Sequence, residues 1–215
     1  MDNLLLAIIG ITALISYKGF NDLYFFRKYD FHIGSIRSGE HIRMISSGFL
    51  HADWAHLIFN MLTLYFFGPV VIDFLGGFSF ILVYLVSLVA GSLLTLVMHK
   101  DDYSYRAIGA SGAVTGVLFA AILLNSNMSV GMLFIPKQYG IPGWLFGILY
   151  LLYSIYGMRA KSDNIGHTAH FGGAIGGYAI TLMYRPDIFA SDTFTVVALA
   201  VPIVILFIME RTGRL

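Results

Sequence analysis

The stretch from Gly109 to Gly116 places a serine where a helix end can support acyl-transfer chemistry. Gly109 and Gly112 flank Ser111, so that other backbone can approach it closely. If a helix begins near Ser111, its first N–H groups and partial positive charge suit a developing oxyanion. The hydroxyl then supplies a nucleophile beside a place for negative charge. Gly112 and Gly116 equally form a small-xxx-small face, which packs membrane helices without any chemistry.

Three more polar side chains lie near the beginnings of apolar segments. His56 and Asn60 are four residues apart, on one face of a predicted helix. His170 lies in the first turn of a later predicted helix. Polar groups in apolar helices usually face a cavity or the bundle interior and are often functional. The alternative is that each one is a hydrogen bond between helices with no catalytic role.

Composition indicates which elements must position these residues. Of 215 residues, 58% are hydrophobic and 12% are charged, against about 25% charged in soluble proteins. Cysteine is absent, which excludes a disulfide framework and zinc–cysteine sites. The net charge of +1 gives no reason to expect nucleic acid as a partner. The chain is therefore predicted to be an all-α polytopic membrane protein, with residues 1–215 as a single transmembrane domain.

Apolar runs predict a six-helix core over about residues 4–185 and a seventh, C-terminal helix over 193–209. The first helix is read as retained rather than as a signal peptide, because no basic residue precedes it. Between it and the second helix we expect a partly submerged loop with short helical pieces. The predicted helices are Leu4 to Ile15 extending toward Phe20, His56 to Phe74, Phe78 to Met98, Ser111 to Leu124, Gly143 to Met158, Thr168 to Tyr184, and Thr193 to Met209.

Alternation of helix direction brings the polar residues to one membrane face. The second, fourth and sixth helices begin on the same side, so His56, Asn60, Ser111 and His170 are expected at similar depth. Ser111 is then the candidate nucleophile and His170 the candidate general base. His56 and Asn60 join the Ser111 N–H in a candidate oxyanion hole. No carboxylate begins a helix at this depth, so the sequence predicts a Ser–His dyad. The dyad would be brought together by packing between glycine pairs, namely Gly112 and Gly116 with Gly173 and Gly177.

Three motifs, in this order, resemble those of the rhomboid family of intramembrane serine proteases. They are an HxxxN at 56–60, a GxSG at 109–112 and an AHxGG at 169–173. The resemblance covers roughly residues 40–177, and His51 and Arg43 also match family positions. It implies Ser111 as nucleophile, His170 as base, His56 and Asn60 as oxyanion donors, and a rhomboid-like six-helix core. It also implies cleavage of transmembrane protein substrates within the lipid bilayer, with no cofactor and no metal.

Some positions depart from the family pattern. Ile42 stands where rhomboids often have a tryptophan before the loop arginine, and Asp73 follows Ile72 where they often have a glutamate. Thr115 stands four residues after the serine, where many have an aromatic that packs on the catalytic histidine. None of these changes removes a catalytic group.

The fifth helix is the candidate gate for a substrate that arrives sideways from lipid. It follows the glycine- and proline-containing connection 125–141 and is rich in large side chains that could fill an opening seam: Trp144, Phe146, Tyr150 and Tyr153. The alternative is that these aromatics simply face lipid. Resemblance favours the gate.

Other functions are compatible with parts of the pattern. His51, His56, His167 and His170 together could bind zinc, although His167 is predicted to lie in a loop. Intramembrane His and Asn also occur in transporters. A rhomboid-like binder without activity is a third alternative, although both catalytic residues are present. The oligomeric state stays open.

Resemblance places the protein in a bacterial inner membrane, with the active site on the extracytoplasmic face. The positive-inside rule argues against this orientation. Most basic residues would then lie outside, and only Lys137 and Arg185 inside. The long first loop, folded into the interface, could account for the difference, because its charges would then count for little. Within that loop, Arg43 is expected to anchor the loop to the bilayer edge rather than to contact substrate.

Overall fold

The protein is described by a computed structural model over residues 2–131, 140–160 and 165–214. The described residues are mainly helical, which confirms the predicted fold class. The long helices are α1 (Asn3–Asn21), α5 (Trp54–Leu75), α6 (Gly77–Met98), α7 (Ser111–Leu124), α8 (Gly143–Ala160), α9 (His167–Tyr184) and α11 (Thr193–Arg211). Among the described residues, four helices are long and apolar enough to cross a membrane, namely α1, α5, α6 and α11. Each predicted helix coincides with one of the seven to within a few residues.

The shortest of the long helices, α7, lies at the centre of the bundle. Every residue of α7 after Ser111 is buried. Its 14 residues span about 21 Å at 1.5 Å per residue, which is less than the roughly 30 Å of a bilayer's hydrocarbon core. A helix this short is held in the membrane by its protein neighbours, and its first residue can lie below the membrane surface.

Glycines on α7 and α9 allow the backbones of these helices to touch. A Cβ on Gly173 would overlap the carbonyl oxygen of Gly112, and a Cβ on Gly177 would overlap that of Gly116. The predicted pairing of glycines is therefore confirmed. Just before His170, the carbonyl oxygen of Ala169 lies 2.7 Å from where a Cβ on Gly91 of α6 would be and 3.0 Å from where one on Gly112 of α7 would be. The beginning of α9 therefore packs closely between these two helices.

The loop between α1 and α5 is folded, as expected, from short helices. These are α2 (Leu23–Tyr29), α3 (Ile33–Arg37) and α4 (Arg43–Ser46), with a 3₁₀ turn at Ser47–Phe49. A two-residue strand, β1 (Phe31–His32), pairs antiparallel with β2 (Arg106–Ala107), which lies just before α7. The first loop is therefore joined directly to the segment that leads to Ser111.

A buried ion cluster around Asp30 holds this loop in place. The Arg43 Nη1 donates to Asp30 Oδ1 at 2.9 Å, and the Arg106 Nη1 donates to Asp30 Oδ2 at 2.7 Å. Arg43 is only 7% exposed and also pairs with Glu40. The expectation that Arg43 anchors the loop to the bilayer edge is wrong. Arg43 instead stabilises the loop internally, through ion pairs with Asp30 and Glu40 of the same loop. The buried carboxylate of Asp30 requires such cationic partners.

The remaining elements surround α8 and α9. The strands β3 (Ser129–Val130) and β4 (Ile141–Pro142) pair in the connection between α7 and α8. Two segments lie outside the described residues: 132–139, which includes Pro136 and Lys137, and 161–164, which includes Lys161. A short helix, α10 (Ile188–Ser191), leads from α9 to α11. The helix α11 packs on α8 and is joined to α9 by the Tyr178 hydroxyl, which donates to the Val196 carbonyl at 3.0 Å.

Candidate active site

A cavity of about 820 Å³ opens between α5, α7, α8 and α9. All four polar residues proposed from the sequence line it: His56, Asn60, Ser111 and His170. The segment before α7 forms another part of the wall through Arg106 to Ile108. The structure therefore brings these side chains to one cavity, as the alternation of helix direction predicts.

Ser111 is the first residue of α7 and follows a turn that requires glycine. Gly109 has a φ of +116°, a backbone conformation that other residues rarely adopt. A Cβ there would lie 2.8 Å from His56 Nε2 and 3.8 Å from Ser111 Oγ. The imidazole of His56 and the hydroxyl of Ser111 therefore both lie on the side of Gly109 to which a Cβ would point. Ala110 makes no side-chain cap, so the first N–H groups of α7 receive no capping acceptor from it.

His51 supports this turn through hydrogen bonds, a role that neither its match to a family position nor its place in the suggested zinc set predicts. The Ser16 hydroxyl donates to the Phe49 carbonyl at 2.9 Å and so accepts from His51 Nδ1–H at 2.9 Å. The other ring nitrogen, Nε2, accepts the Ala110 N–H at 3.3 Å. His51 is completely buried. A neutral imidazole with its proton on Nδ1 therefore connects α1 to the residue before Ser111.

The stability of the fold is expected to fall in acid because of His51. Burial, helped by the nearby His56, lowers the pKa of His51 from 6.5 to about 3. Since the unfolded chain takes up this proton near pH 6.5, the stabilising contribution is complete above that pH and is lost progressively as pH falls toward 3. The free energy of unfolding in detergent micelles, measured across this range, checks the effect. The variant His51→Gln cannot titrate, so an equally steep pH dependence in that variant would contradict the assignment.

Asn60 lies one turn after His56 on α5 and is only 6% exposed. Its Nδ2 donates one hydrogen bond to the His56 carbonyl at 2.9 Å, and an amide NH₂ carries two donors. The helix itself begins at a cap, because Asp53 Oδ1 accepts the His56 N–H at 2.8 Å. The capped start of α5 therefore sets the positions of His56 and Asn60 in the wall of the cavity.

His170 is 8% exposed and lies against a tyrosine of α8. The Tyr150 hydroxyl is 3.0 Å from His170 Nδ1, and the two rings stack with centroids 5.7 Å apart. The aromatic neighbour that Thr115 does not supply therefore comes from another helix. His167 is the first residue of α9, 3% exposed and edge-on to His170 at 6.0 Å, so its prediction as a loop residue is wrong. The turn at Gly166 starts the helix one residue earlier than predicted.

The four predicted gate residues do not share one seam. Phe146 and Tyr150 line the cavity opposite α5. Trp144 instead packs edge-on against Phe194 of α11, with centroids 5.0 Å apart, and Tyr153 is half exposed beside His167. Successive turns of α8 present these two residues to different neighbours, and the role of the four residues as a gate stays a prediction.

The histidines of the suggested zinc set fall into two pairs. His51 and His56 have ring centroids 4.8 Å apart, and His167 and His170 have centroids 6.0 Å apart. Over 2–131, 140–160 and 165–214, no three His, Asp or Glu side chains come together in a way that could hold a metal ion. The two pairs lie in different places: His51 and His56 lie beside the turn before Ser111, and His167 and His170 lie on α9.

Residues 38–187 match the family model described as the Rhomboid domain. The putative rhomboid protease YdcA of Bacillus subtilis is 32% identical over 148 residues, which is 69% of this chain and 69% of that protein. The rhomboid protease GluP of the same organism is 33% identical over 66% of this chain and 26% of its own length. The mitochondrial RHOMBOID-like protein 12 of Arabidopsis thaliana is 27% identical over 79% of this chain, which spans about half (54%) of that relative.

Proposed function

Because the chain belongs to the rhomboid family, we propose that it is an intramembrane serine endopeptidase that cleaves transmembrane segments of membrane proteins. The observation that carries this proposal is the shared cavity, in which a serine at a helix start meets two histidines and an asparagine. The substrate helix would come from the surrounding lipid bilayer, in a multi-pass protein for which we propose a bacterial inner membrane and an extracytoplasmic active site. We also propose that residues 1–215 form a single transmembrane domain, of which α11 is a part.

The proposed reaction begins with transfer of the Ser111 proton to His170 as the oxygen attacks the scissile carbonyl. The carbonyl oxygen becomes negatively charged and accepts hydrogen bonds from His56, Asn60 and the Ser111 N–H. His170 then gives its proton to the leaving amine, and the peptide C–N bond breaks. Water from the cavity hydrolyses the acyl-enzyme by the same steps, with His170 again as base. No cofactor and no metal take part in this scheme.

Labelling with a serine-directed fluorophosphonate tests the proposal. The activated Ser111 oxygen displaces fluoride from phosphorus, so peptide mass spectrometry should find the adduct on Ser111. The matched control is Ser104, an exposed serine in the loop before α7, which should remain unlabelled. Labelling that is spread over exposed serines, or that is unchanged in His170→Ala, would contradict a Ser–His dyad and favour the transporter alternative.

Removal of one oxyanion donor is expected to slow turnover more than it weakens substrate binding. The variant Asn60→Ala should lose about 10²–10³ in kcat, since a single donor contributes roughly 2.7–4 kcal/mol to the transition state. Kinetics on a transmembrane substrate measure the effect. Thr63→Ala removes a hydroxyl from the same helix and the same cavity wall and serves as control. An unchanged kcat in Asn60→Ala would make Asn60 a structural hydrogen-bonding residue.

We further propose that substrate enters between α5 and α8, where the cavity separates the two helices. Because the chain has no cysteine, a pair introduced at Phe59 and Phe146, on opposite walls, can be joined with a bifunctional reagent. The joined protein should lose cleavage of a transmembrane substrate but retain fluorophosphonate labelling of Ser111. The same double variant treated with a monofunctional reagent is the control. Normal cleavage by the joined protein would place the entrance elsewhere.

A further inference from the structure

Three consecutive hydrogen bonds connect His170 to the backbone of Ser111 through α8. His170 Nδ1 is 3.0 Å from the Tyr150 Oη, and this oxygen is 3.1 Å from Thr115 Oγ1. Thr115 Oγ1 is in turn 2.7 Å from the carbonyl oxygen of Ser111. Thr115 is 3% exposed. The sequence analysis predicts none of these contacts, since it identifies Tyr150 only as a candidate gate residue.

The directions of these bonds follow from the donors that are present. The Ser111 carbonyl has no proton, so the single hydroxyl proton of Thr115 must point to it. Thr115 then accepts the proton of Tyr150, and the Tyr150 oxygen is left to accept from His170. Nδ1 of His170 therefore carries the proton of the neutral ring, and the lone pair is on Nε2. This is the tautomer in which Nε2 acts as the base.

We propose that Tyr150 and Thr115 are positioning residues that set the tautomer and the ring plane of His170. The inference rests on the proposed Ser–His dyad. A carboxylate has this task in serine proteases with a triad, where it accepts the Nδ1–H of the histidine. Here two hydroxyls perform it, and the chain of bonds ends on the carbonyl of the nucleophile itself. The stacked ring of Tyr150 also replaces the aromatic that is missing at position 115.

The variant Tyr150→Phe tests the proposal, because it keeps the stacked ring and removes the hydroxyl. Loss of one neutral hydrogen bond corresponds to a fall of about 3- to 10-fold in kcat, with KM little changed. Tyr178→Phe is the matched control, since it removes a tyrosine hydroxyl bond between α9 and α11, away from His170. A Tyr150→Phe protein with the kcat of Tyr178→Phe, or one in which only KM changes, would overturn the proposal.

Thr115 provides an independent arm of the test. Thr115→Val removes the hydroxyl at almost constant shape, whereas Thr115→Ser keeps it, so the serine variant should turn over faster than the valine variant. Because both residues act through one chain of bonds, the double variant Tyr150→Phe with Thr115→Val should be no slower than the slower single variant. Independent, multiplying losses would overturn the proposal, as would equal rates for Thr115→Val and Thr115→Ser.

A spectroscopic measurement separates positioning from a general loss of structure. In protein labelled with ¹⁵N-histidine in micelles, the signals that disappear in His170→Gln identify the His170 ring. The parent should show a protonated Nδ1 and an unprotonated Nε2, and Tyr150→Phe should show a mixture of tautomers. A parent ring protonated at Nε2 would overturn the inference even if Ser111 reacts with fluorophosphonate. If the parent neither cleaves substrate nor labels at Ser111, it is the proposed function that fails.

Discussion

Ser111→Ala is expected to abolish cleavage while leaving the fold intact. Without the hydroxyl no acyl-enzyme forms, and removal of the serine from a Ser–His–Asp triad costs on the order of 10⁶ in kcat. Alanine is the best helix former, and Ser111 begins α7 without burying its whole side chain. The free energy of unfolding should therefore change by less than about 0.5 kcal/mol. Cleavage of a panel of transmembrane substrates by purified parent and variant measures the first effect, and denaturation in micelles measures the second.

The controls decide which hypothesis such a loss supports. Ser104→Ala changes an exposed serine in the preceding loop and should cleave like the parent. His170→Ala should be as inactive as Ser111→Ala, because nucleophile and base act as one unit. Retained cleavage by a well-folded Ser111→Ala protein would refute the nucleophile. Loss of parent activity with a chelator, restored by zinc, would support the metal alternative instead.

Gly173→Ala is expected to inactivate the protein through the backbone rather than through chemistry. The added Cβ would overlap the Gly112 carbonyl oxygen and lie 2.6 Å from its carbonyl carbon and 2.9 Å from its Cα. These are backbone atoms, so α7 and α9 must separate. Overpacking of this kind costs about 1–3 kcal/mol of stability. Because α7 carries Ser111 and α9 carries His170, a displacement of roughly 1 Å is enough for a loss of about 10² in kcat.

Stability and turnover are to be measured on the same preparations. Gly10→Ala is the matched control, because a Cβ on Gly10 of α1 meets no atom within 4 Å. Alanine there should leave turnover unchanged and raise stability by up to about 1 kcal/mol. A Gly173→Ala protein as active and as stable as the parent would show that the contact between α7 and α9 is more yielding than its geometry indicates.

The sequence alone predicts the helices well because the lipid environment simplifies the pattern. Long apolar runs can only be helices here, since every backbone polar group must be satisfied within the segment. The start of α7 at Ser111 follows from the glycines around it. The convergence of His56, Asn60 and His170 follows from alternating direction, which depends on helix order and on no detailed coordinates.

What the sequence does not predict depends on rotation and on the loop. Whether Tyr150 faces His170 or lipid is decided by the rotation of α8 about its axis, and α8 is apolar on several sides. Asp30, Arg43 and Arg106 are far apart in the chain, so no local pattern connects them. His51 resembles a metal ligand in sequence, and only its neighbours Ser16 and Ala110 reveal that it holds the turn before Ser111.

The short, enclosed helix α7 also has a consequence for biosynthesis. Ser111 is made well before His170, with the whole of α8 between them. Until α9 has been made, α7 lacks the contacts that Gly173 and Gly177 provide, and the proposed nucleophile has no base. If the proposed function is correct, a nascent chain that has inserted only α1, α5, α6 and α7 has a nucleophile without its base and should not cleave its neighbours. On the proposed function, the order of helices along the chain would therefore delay proteolysis until α9 has been synthesised.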